Sequence, residues 1–238
     1  MMNENSISVI IPAFNEESNL EAAIAVVSEA VKRRFDEYEI IIFNDGSTDR
    51  TGNIAEMLAS RNKNIKVIHH KRPKCLGGVY KEGVKIARMN YLILVNGKND
   101  TFIESLDAIF ALQGKADIII PYAINSKERS AIRRIISKSF VTLLNFIFRL
   151  KLHYYNHYVL HKRSVINTIN LHTVSYAFQA EALIKLIKSN YSYIEVGVID
   201  NFENDIKTKA FKLKNVIAVA LFLMRTIYKI YFSRKATV

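Results

Sequence analysis

The sequence holds a single cysteine, Cys75. One thiol closes no intrachain disulfide and builds no cysteine-based zinc site, so neither device is expected to hold the fold. A reducing, cytosolic setting fits that usage. Proline and glycine are sparse, at three and eight residues, and no stretch rich in either reads as a linker. Internal repeats and low-complexity tracts are missing too. The opening "MMNENSISVIIPAFNEE" has no basic segment ahead of its apolar run, so a first strand is expected there rather than a signal peptide. Long unbroken hydrophobic runs are also lacking. Between Lys214 and Arg225 lie ten uncharged residues, against the roughly 20 that a membrane-spanning helix needs.

What is present is a chain of 238 residues, half of them hydrophobic. That suffices for one α/β domain with a sizeable core, alone or with an appendage, and excludes a disordered protein. The net charge of +12 is unevenly placed. Residues 127–163 hold nine basic residues and one acidic one, and residues 207–235 hold eight basic and none acidic. Both segments are also strongly apolar, as in "AIRRIISKSFVTLLNFIFRLK" and "KNVIAVALFLMRTIYKIYFSRK". Basic and apolar residues mixed in this way suit interfacial helices on an anionic membrane. Amphipathic helices packed on a core or a partner are the plainer alternative. Nucleic-acid binding is not expected, because the segments are greasy and carry no recognised module.

Up to about residue 123, strand and helix alternate. Strands are expected at 7–14, 38–45, 65–70, 91–96 and 116–123, and helices at 16–35, 47–60, 77–88 and 103–113. The first helix shows the spacing Leu20, Ala23, Ile24, Val27, Ala30. Such alternation predicts a mostly parallel sheet covered on both faces. The second half reads as more helical, with one further strand at 191–199. Ligands of such sheets bind beyond the carboxyl ends of the strands, which directs attention to 12–16, 44–49 and 96–100.

Each of these ends has a plain and a functional interpretation. In "PAFNEE", Pro12 ends a strand and Asn15 starts a helix; equally, Phe14 offers a face to a base, with Glu16 near a ribose or metal-bound group. In "FNDGSTDRT", "NDG" is turn chemistry and "STD" a helix cap; equally, Asp45 can accept from a base N–H and Ser47 can donate. His69 and His70 read as structural rather than as ligands. Cys75 reads as a small apolar loop residue. Tyr154, Tyr155 and Tyr158 either line an acceptor groove or pack beneath an interfacial helix.

Together, "VIIPAFNEESNLEAAI" and "IIIFNDGSTDRT" resemble the nucleotide-sugar-binding half of family 2 glycosyltransferases with the GT-A fold. "LGGVYKEGVKIAR" is similar to the family's glycine loop and helix, and the segment 174–198 to the one that ends in its "EVP" strand. "KTKAFKLKNVI" is similar to the "GKSKAFRLKN" tail of polyprenyl (dolichyl or undecaprenyl) phosphate mannose and glucose synthases. The resemblance implies an inverting transfer of a hexose-type sugar from a UDP- or GDP-sugar to a polyprenyl phosphate or related membrane acceptor. It implies a nucleotide-sugar-binding half over 1–123, an acceptor-side half over 124–212, and a basic amphipathic helix over 213–238. Pro12, Phe14, Glu16, Phe43, Asp45 and Ser47 then fall at the nucleoside, and Gly97 by the diphosphate. Arg129, Arg133 and Arg134 fall where cations approach phosphates, with Arg133 and Glu181 on the acceptor side, and Lys209 matches the tail lysine. The implied location is peripheral, on the cytoplasmic face of a membrane, with room for an integral membrane partner.

The chain departs from the family pattern in several places. The metal loop normally reads Asp-x-Asp, or a Gly-Asp-Asn-Glu variant. Here Asn96 and Lys98 fall on the acidic positions, and only Asp100 remains as a hard oxygen ligand for Mg²⁺ or Mn²⁺. Glu203 stands for arginine, and Ile206, His157 and Cys75 for glycines. Three outcomes are open. Lys98 binds diphosphate in place of metal. Asp100 and the ligand phosphates make a weak metal site. Or the protein binds a nucleotide-sugar or a protein at a membrane without turnover.

Overall fold

The computed structural model describes residues 4–202 and 213–232. Seven strands form one sheet in the order β3-β2-β1-β4-β6-β5-β7. They are β1 (Ser6–Ala13), β2 (Glu37–Asn44), β3 (Ile65–His69), β4 (Tyr91–Leu94), β5 (Ile118–Ala123), β6 (Leu160–Lys162) and β7 (Tyr193–Val198). β6 runs antiparallel to both its neighbours, and all other pairings are parallel. The helices are α1 (Leu20–Arg34), α2 (Thr51–Arg61), α3 (Leu76–Ile86), α4 (Ile103–Phe110), α5 (Ala131–Phe148), α6 (Arg163–Ile166), α7 (Phe178–Lys188) and α8 (Leu213–Ile227), the last running into a π-helical turn at Tyr228–Phe232.

The central strands read as unbroken apolar runs because both faces are buried. Successive side chains alternate, so Ile10, Ile41 and Phe43 join one core with residues of α3, α5 and α7. Val9, Ile11, Ile40 and Ile42 join the other, with residues of α1 and α4. The mostly parallel sheet flanked by helices is the architecture the alternation predicts.

Three details differ from the sequence-based expectation. The sequence pattern gives no sign of β6: three residues, "LHK", carry too little periodicity to register. It is nonetheless a core strand, with His161 fully buried between β4 and β5 and its ring facing Gln179 at 3.2 Å. Burial pushes the His161 pKa down to about 3. α1 and α2 each start about four residues later than expected, because the segments before them are tied to each other. Cys75 is exposed at the start of α3 with φ +62°, so it does not act as an apolar filler.

Within β2, Glu39 is a buried carboxylate. It accepts from the Ser8 hydroxyl at 2.8 Å, the Arg88 N–H at 2.8 Å and Lys66 Nζ at 2.9 Å. Burial alone would raise its pKa, but these donors outweigh it and hold the carboxyl below its ordinary value.

Candidate active site

β2, β1 and β4 are adjacent and parallel, with Ala13 opposite Asn44 and Ile10 opposite Leu94. Their carboxyl-end loops therefore emerge side by side, at the place where such sheets bind ligands. The first two loops are cross-stitched. Asn15, at φ +56°, donates its N–H to Ser47 Oγ at 3.0 Å, and its Oδ1 accepts the Thr48 N–H at 2.9 Å. Glu16 donates its N–H to Thr51 Oγ1 at 2.8 Å. The stitch is what delays α1 and α2. Gly46 turns the second loop at φ +78°, and a Cβ there would lie 2.9 Å from Pro73 Cδ.

Asp45 is buried at the end of β2. Its Oδ1 faces His70 Nδ1 at 2.7 Å and accepts the Lys74 N–H at 2.8 Å, while Oδ2 accepts the Cys75 N–H at 3.1 Å. A carboxylate oxygen takes two donors, so the remaining capacity lies on Oδ2. His70 is structural, as expected. Phe43 is a correction: its ring is 0% exposed, belongs to the core and lies 5.6 Å from the His70 ring, so it cannot touch a nucleoside. Phe14, 45% exposed, is the aromatic face available in the first loop.

The third loop closes against the first. Gly97 donates its N–H to the Pro12 carbonyl at 3.1 Å, an approach close enough that a Cβ would meet that oxygen at 3.2 Å. Glu16 registers the neighbours this brings. Its pKa is raised, first by burial and further by the Asp100 and Asp49 carboxylates, against Asn19 and the Lys98 ammonium, which favour the charged form. Lys98 itself is exposed.

Asp100 is already engaged. Tyr158 donates its hydroxyl to Oδ1, and Asn96 Nδ2 lies 3.3 Å from Oδ2 and 3.1 Å from the Tyr158 oxygen. Burial and the Asp100 charge push the Tyr158 phenol well above its ordinary pKa, so it remains a donor. Further on, Thr101 bridges Asp200, the Asn201 N–H donates to the Asp100 carbonyl at 3.4 Å, and His157 Nε2 meets Asp200 Oδ1 at 3.0 Å. The donor set does not fit a divalent cation. Both Asp100 oxygens have protein donors, its neighbours are an amide and a lysine, and no group of three His, Cys, Asp or Glu suited to a metal occurs among the described residues.

The arginines divide. Arg129 lies 5.0 Å over the Phe202 ring, with Nη1 3.4 Å from the Tyr154 hydroxyl. The Arg133 pKa is lowered, first by burial and then by the Arg129 charge, so these two guanidinium groups share one locality. Arg134 donates Nη1 to the Lys127 and Arg129 carbonyls, at 2.7 and 3.2 Å, and so fastens the turn before α5 while its side chain stays exposed. Beside Arg129 opens a cavity of about 440 Å³ lined by Phe102, Asn125, Glu128, Asp200 and Phe202. Glu181, expected on the acceptor side, is a further correction. It is 2% exposed, paired with Lys185, and accepts the N–H groups of His172 and Thr173, so it orders that loop from inside the protein. Lys209, with Glu203 and Ile206, lies outside the described residues.

Residues the sequence did not single out for this role are Asn15, Thr51, Tyr158 and Asp200. Tyr158 lies 58 positions from its partner Asp100, and no local pattern announces such a pairing.

The Glycosyl transferase family 2 model matches residues 8–97. Dolichyl-phosphate beta-glucosyltransferase of Dictyostelium discoideum is 30% identical over 118 residues, 47% of this chain and 36% of that protein. Polyprenol monophosphomannose synthase of Mycolicibacterium smegmatis is 29% identical over 203 residues, 80% of this chain and 75% of that protein. Four of the curated relatives, the Dictyostelium protein among them, are matched over only 27% to 40% of their own length. Among solved structures, glucosyl-3-phosphoglycerate synthase from Mycobacterium tuberculosis, in complex with Mg²⁺ and UDP, superposes with a TM-score of 0.64 at 15% identity, over 95% of this chain and 79% of that one. With the loop motifs and the sheet order, these likenesses show a glycosyltransferase family 2 domain over residues 8–97, within a GT-A-like α/β fold.

Proposed function

We propose that the protein is an inverting glycosyltransferase that moves a hexose-type sugar from a UDP- or GDP-sugar to a polyprenyl phosphate or related lipid acceptor at a membrane surface. The observation that carries this is the gathering of exposed Phe14 and buried Glu16, buried Asp45 and exposed Lys98 on three stitched loops at adjacent strand ends. Phe14 stacks on the base, and Asp45 Oδ2 accepts from its edge. Lys98 meets the diphosphate, with Gly97 letting the backbone approach. The bond to the leaving diphosphate breaks with a build-up of negative charge, and a fixed ammonium held there beforehand stabilises it. The acceptor is a phosphate monoester, already nucleophilic near neutral pH, so no strong general base is required. Arg129 and Arg133 form the cationic locality for that phosphate. The names of the Dictyostelium and Mycolicibacterium relatives support a lipid-phosphate acceptor.

The membrane part of the reading rests on two helices. α5 buries Leu144 and Phe148, yet leaves Ile132, Ile135, Leu143 and Phe146 at 44% to 83% exposure along its opposite side. α8 and the turn after it bury Phe222 against the same core and expose Leu221, Met224, Tyr228 and Phe232. No helix among the described residues is long and apolar enough to cross a membrane. Apolar stripes with Arg134, Lys138 and Arg225 nearby in sequence suit peripheral docking on anionic lipid, on the cytoplasmic face where nucleotide sugars are held.

A second reading, a nucleotide-sugar- or protein-binding module at a membrane without turnover, is favoured by one observation: Asp100, the remaining acidic residue of the metal loop, is occupied by Tyr158 and Asn96. Calorimetric titration with UDP- and GDP-sugars, with and without EDTA, followed by transfer of labelled sugar to polyprenyl phosphate in vesicles, separates the two. Binding with transfer establishes the enzyme. Binding without transfer to any lipid phosphate establishes the module. Absence of binding to either sugar nucleotide overturns both.

A further inference from the structure

The loop 96–101 departs from its family pattern at the positions that should hold a metal, and the structure puts something else there. We propose that Tyr158 is a positioning residue of this site: its hydroxyl, with the Asn96 amide, clamps the Asp100 carboxylate, fixes the 96–101 loop without a metal ion, and leaves Lys98 as the cation presented to diphosphate. The proposal rests on the donor-site reading for the last step only; the clamp itself is a property of the free protein.

Three independent features support it. Both oxygens of Asp100 are engaged, Oδ1 by the Tyr158 hydroxyl and Oδ2 by Asn96. Asn96 Nδ2 also reaches the Tyr158 oxygen at 3.1 Å, so the phenol both accepts and donates and the three side chains close a ring of hydrogen bonds. Tyr158 is itself held from behind. His157 accepts the Tyr158 N–H on Nδ1 at 2.8 Å, which leaves the Nε2 proton to donate to Asp200 Oδ1 at 3.0 Å. Asp200 in turn bridges Thr101, the residue after Asp100. The loop is thus gripped at both ends by one constellation, and His157 stands at a position where the family resemblance calls for glycine.

The chemistry explains why a lysine is tolerated at 98. In a metal loop an ammonium between two ligands would repel the ion. Here one of those ligands is an amide, and the surviving carboxylate is bound to neutral donors, so Lys98 faces no competing cation. A point charge on a flexible stem then substitutes for a divalent ion only if the backbone beneath it is rigid, which is what the clamp supplies.

The test compares the wild type with Tyr158→Phe and Asp100→Asn, the second being close to isosteric in case the first disturbs packing. Hydrogen exchange of the free proteins reads the clamp directly. Exchange over 96–101 and at Asn201 is expected to rise at least tenfold in both variants, with the strands of the sheet unchanged. Unchanged loop exchange overturns the proposal whether or not a nucleotide binds. Calorimetry with UDP and GDP then reads the positioning. Wild-type affinity should be equal in EDTA and in Mn²⁺. Tyr158→Phe should lose about tenfold in EDTA and regain it in Mn²⁺, because the freed carboxylate and the diphosphate together take the ion; Asp100→Asn should lose affinity without regaining it. A wild type that needs Mn²⁺, or a Tyr158→Phe loss that Mn²⁺ leaves in place, overturns it. A wild type whose loop is clamped but which binds neither nucleotide overturns the donor-site reading instead.

Discussion

His70 Nδ1 lies 2.7 Å from Asp45 Oδ1, and both side chains are more than nine-tenths buried. The contact follows from register. β2 and β3 run parallel with Asn44 opposite His69, so the residues one step beyond the pair meet as they leave the sheet. His70 and the Lys74 and Cys75 N–H groups together fix the carboxylate in one orientation. Replacing His70 by alanine leaves a cavity and removes a charge-assisted partner, at a cost of roughly 2–4 kcal/mol. Urea denaturation should register that loss, and affinity for UDP or GDP should fall with it if Asp45 contacts the base.

Phe14 is exposed and supports no core, so its removal should separate binding from folding. Phe14→Ala is expected to leave the free energy of unfolding within about 0.5 kcal/mol of the wild type. Nucleotide affinity should fall by about tenfold, the scale of one lost base stack. An unchanged titration would take Phe14 out of the site.

Lys98 is expected to act on the diphosphate alone. Lys98→Ala should weaken UDP- or GDP-sugar binding by about 2 kcal/mol, a typical value for a hydrogen bond to a charged group. Binding of the bare nucleoside should not change. Equal losses for nucleoside and nucleotide would mean that the substitution disturbs the loop rather than a phosphate contact.

Glu39 sets an acid limit on stability. Its folded-state pKa is depressed below the ordinary 4.5, so its contribution is fully present above that value and is lost as pH falls through the depressed one. Thermal melting from pH 6 down to pH 3 should show the wild type losing stability in that lower window. Glu39→Gln should be less stable at neutral pH, by about 1–3 kcal/mol, and should show a shallower acid decline. Parallel curves would mean that another group governs acid sensitivity.

The exposed stripe of α5 predicts lipid binding. Ile135→Glu with Phe146→Glu removes apolar anchors and adds like charge toward an anionic surface. Co-sedimentation with phosphatidylglycerol vesicles should fall at least tenfold, with folding unchanged by circular dichroism. Retained sedimentation would place the membrane contact elsewhere or remove it.

The sequence by itself determined the alternating elements, the three strand ends at which sheets of this kind bind ligands, and the loss of acidic residues at 96 and 98. These are local properties: apolar runs in buried strands, helical spacing, and turn residues such as the Gly46 that a φ of +78° requires. Tertiary structure alone decided which side chains at those ends stay free. Phe43 and Phe14 are both aromatic and both adjoin strand ends, yet one is sealed in the core and the other half-open to solvent. Glu181 reads as an available carboxylate until Lys185 and two backbone N–H groups are found on it. Asp100 reads as an unengaged carboxylate until Tyr158 arrives from beyond β5 and α5. The Asp100 outcome in particular depends on β6 entering antiparallel beside β4, which brings residues 58 positions apart into hydrogen-bonding distance. Periodicity within a segment carries no information about such partners, because the force that selects them acts only after the segments have packed.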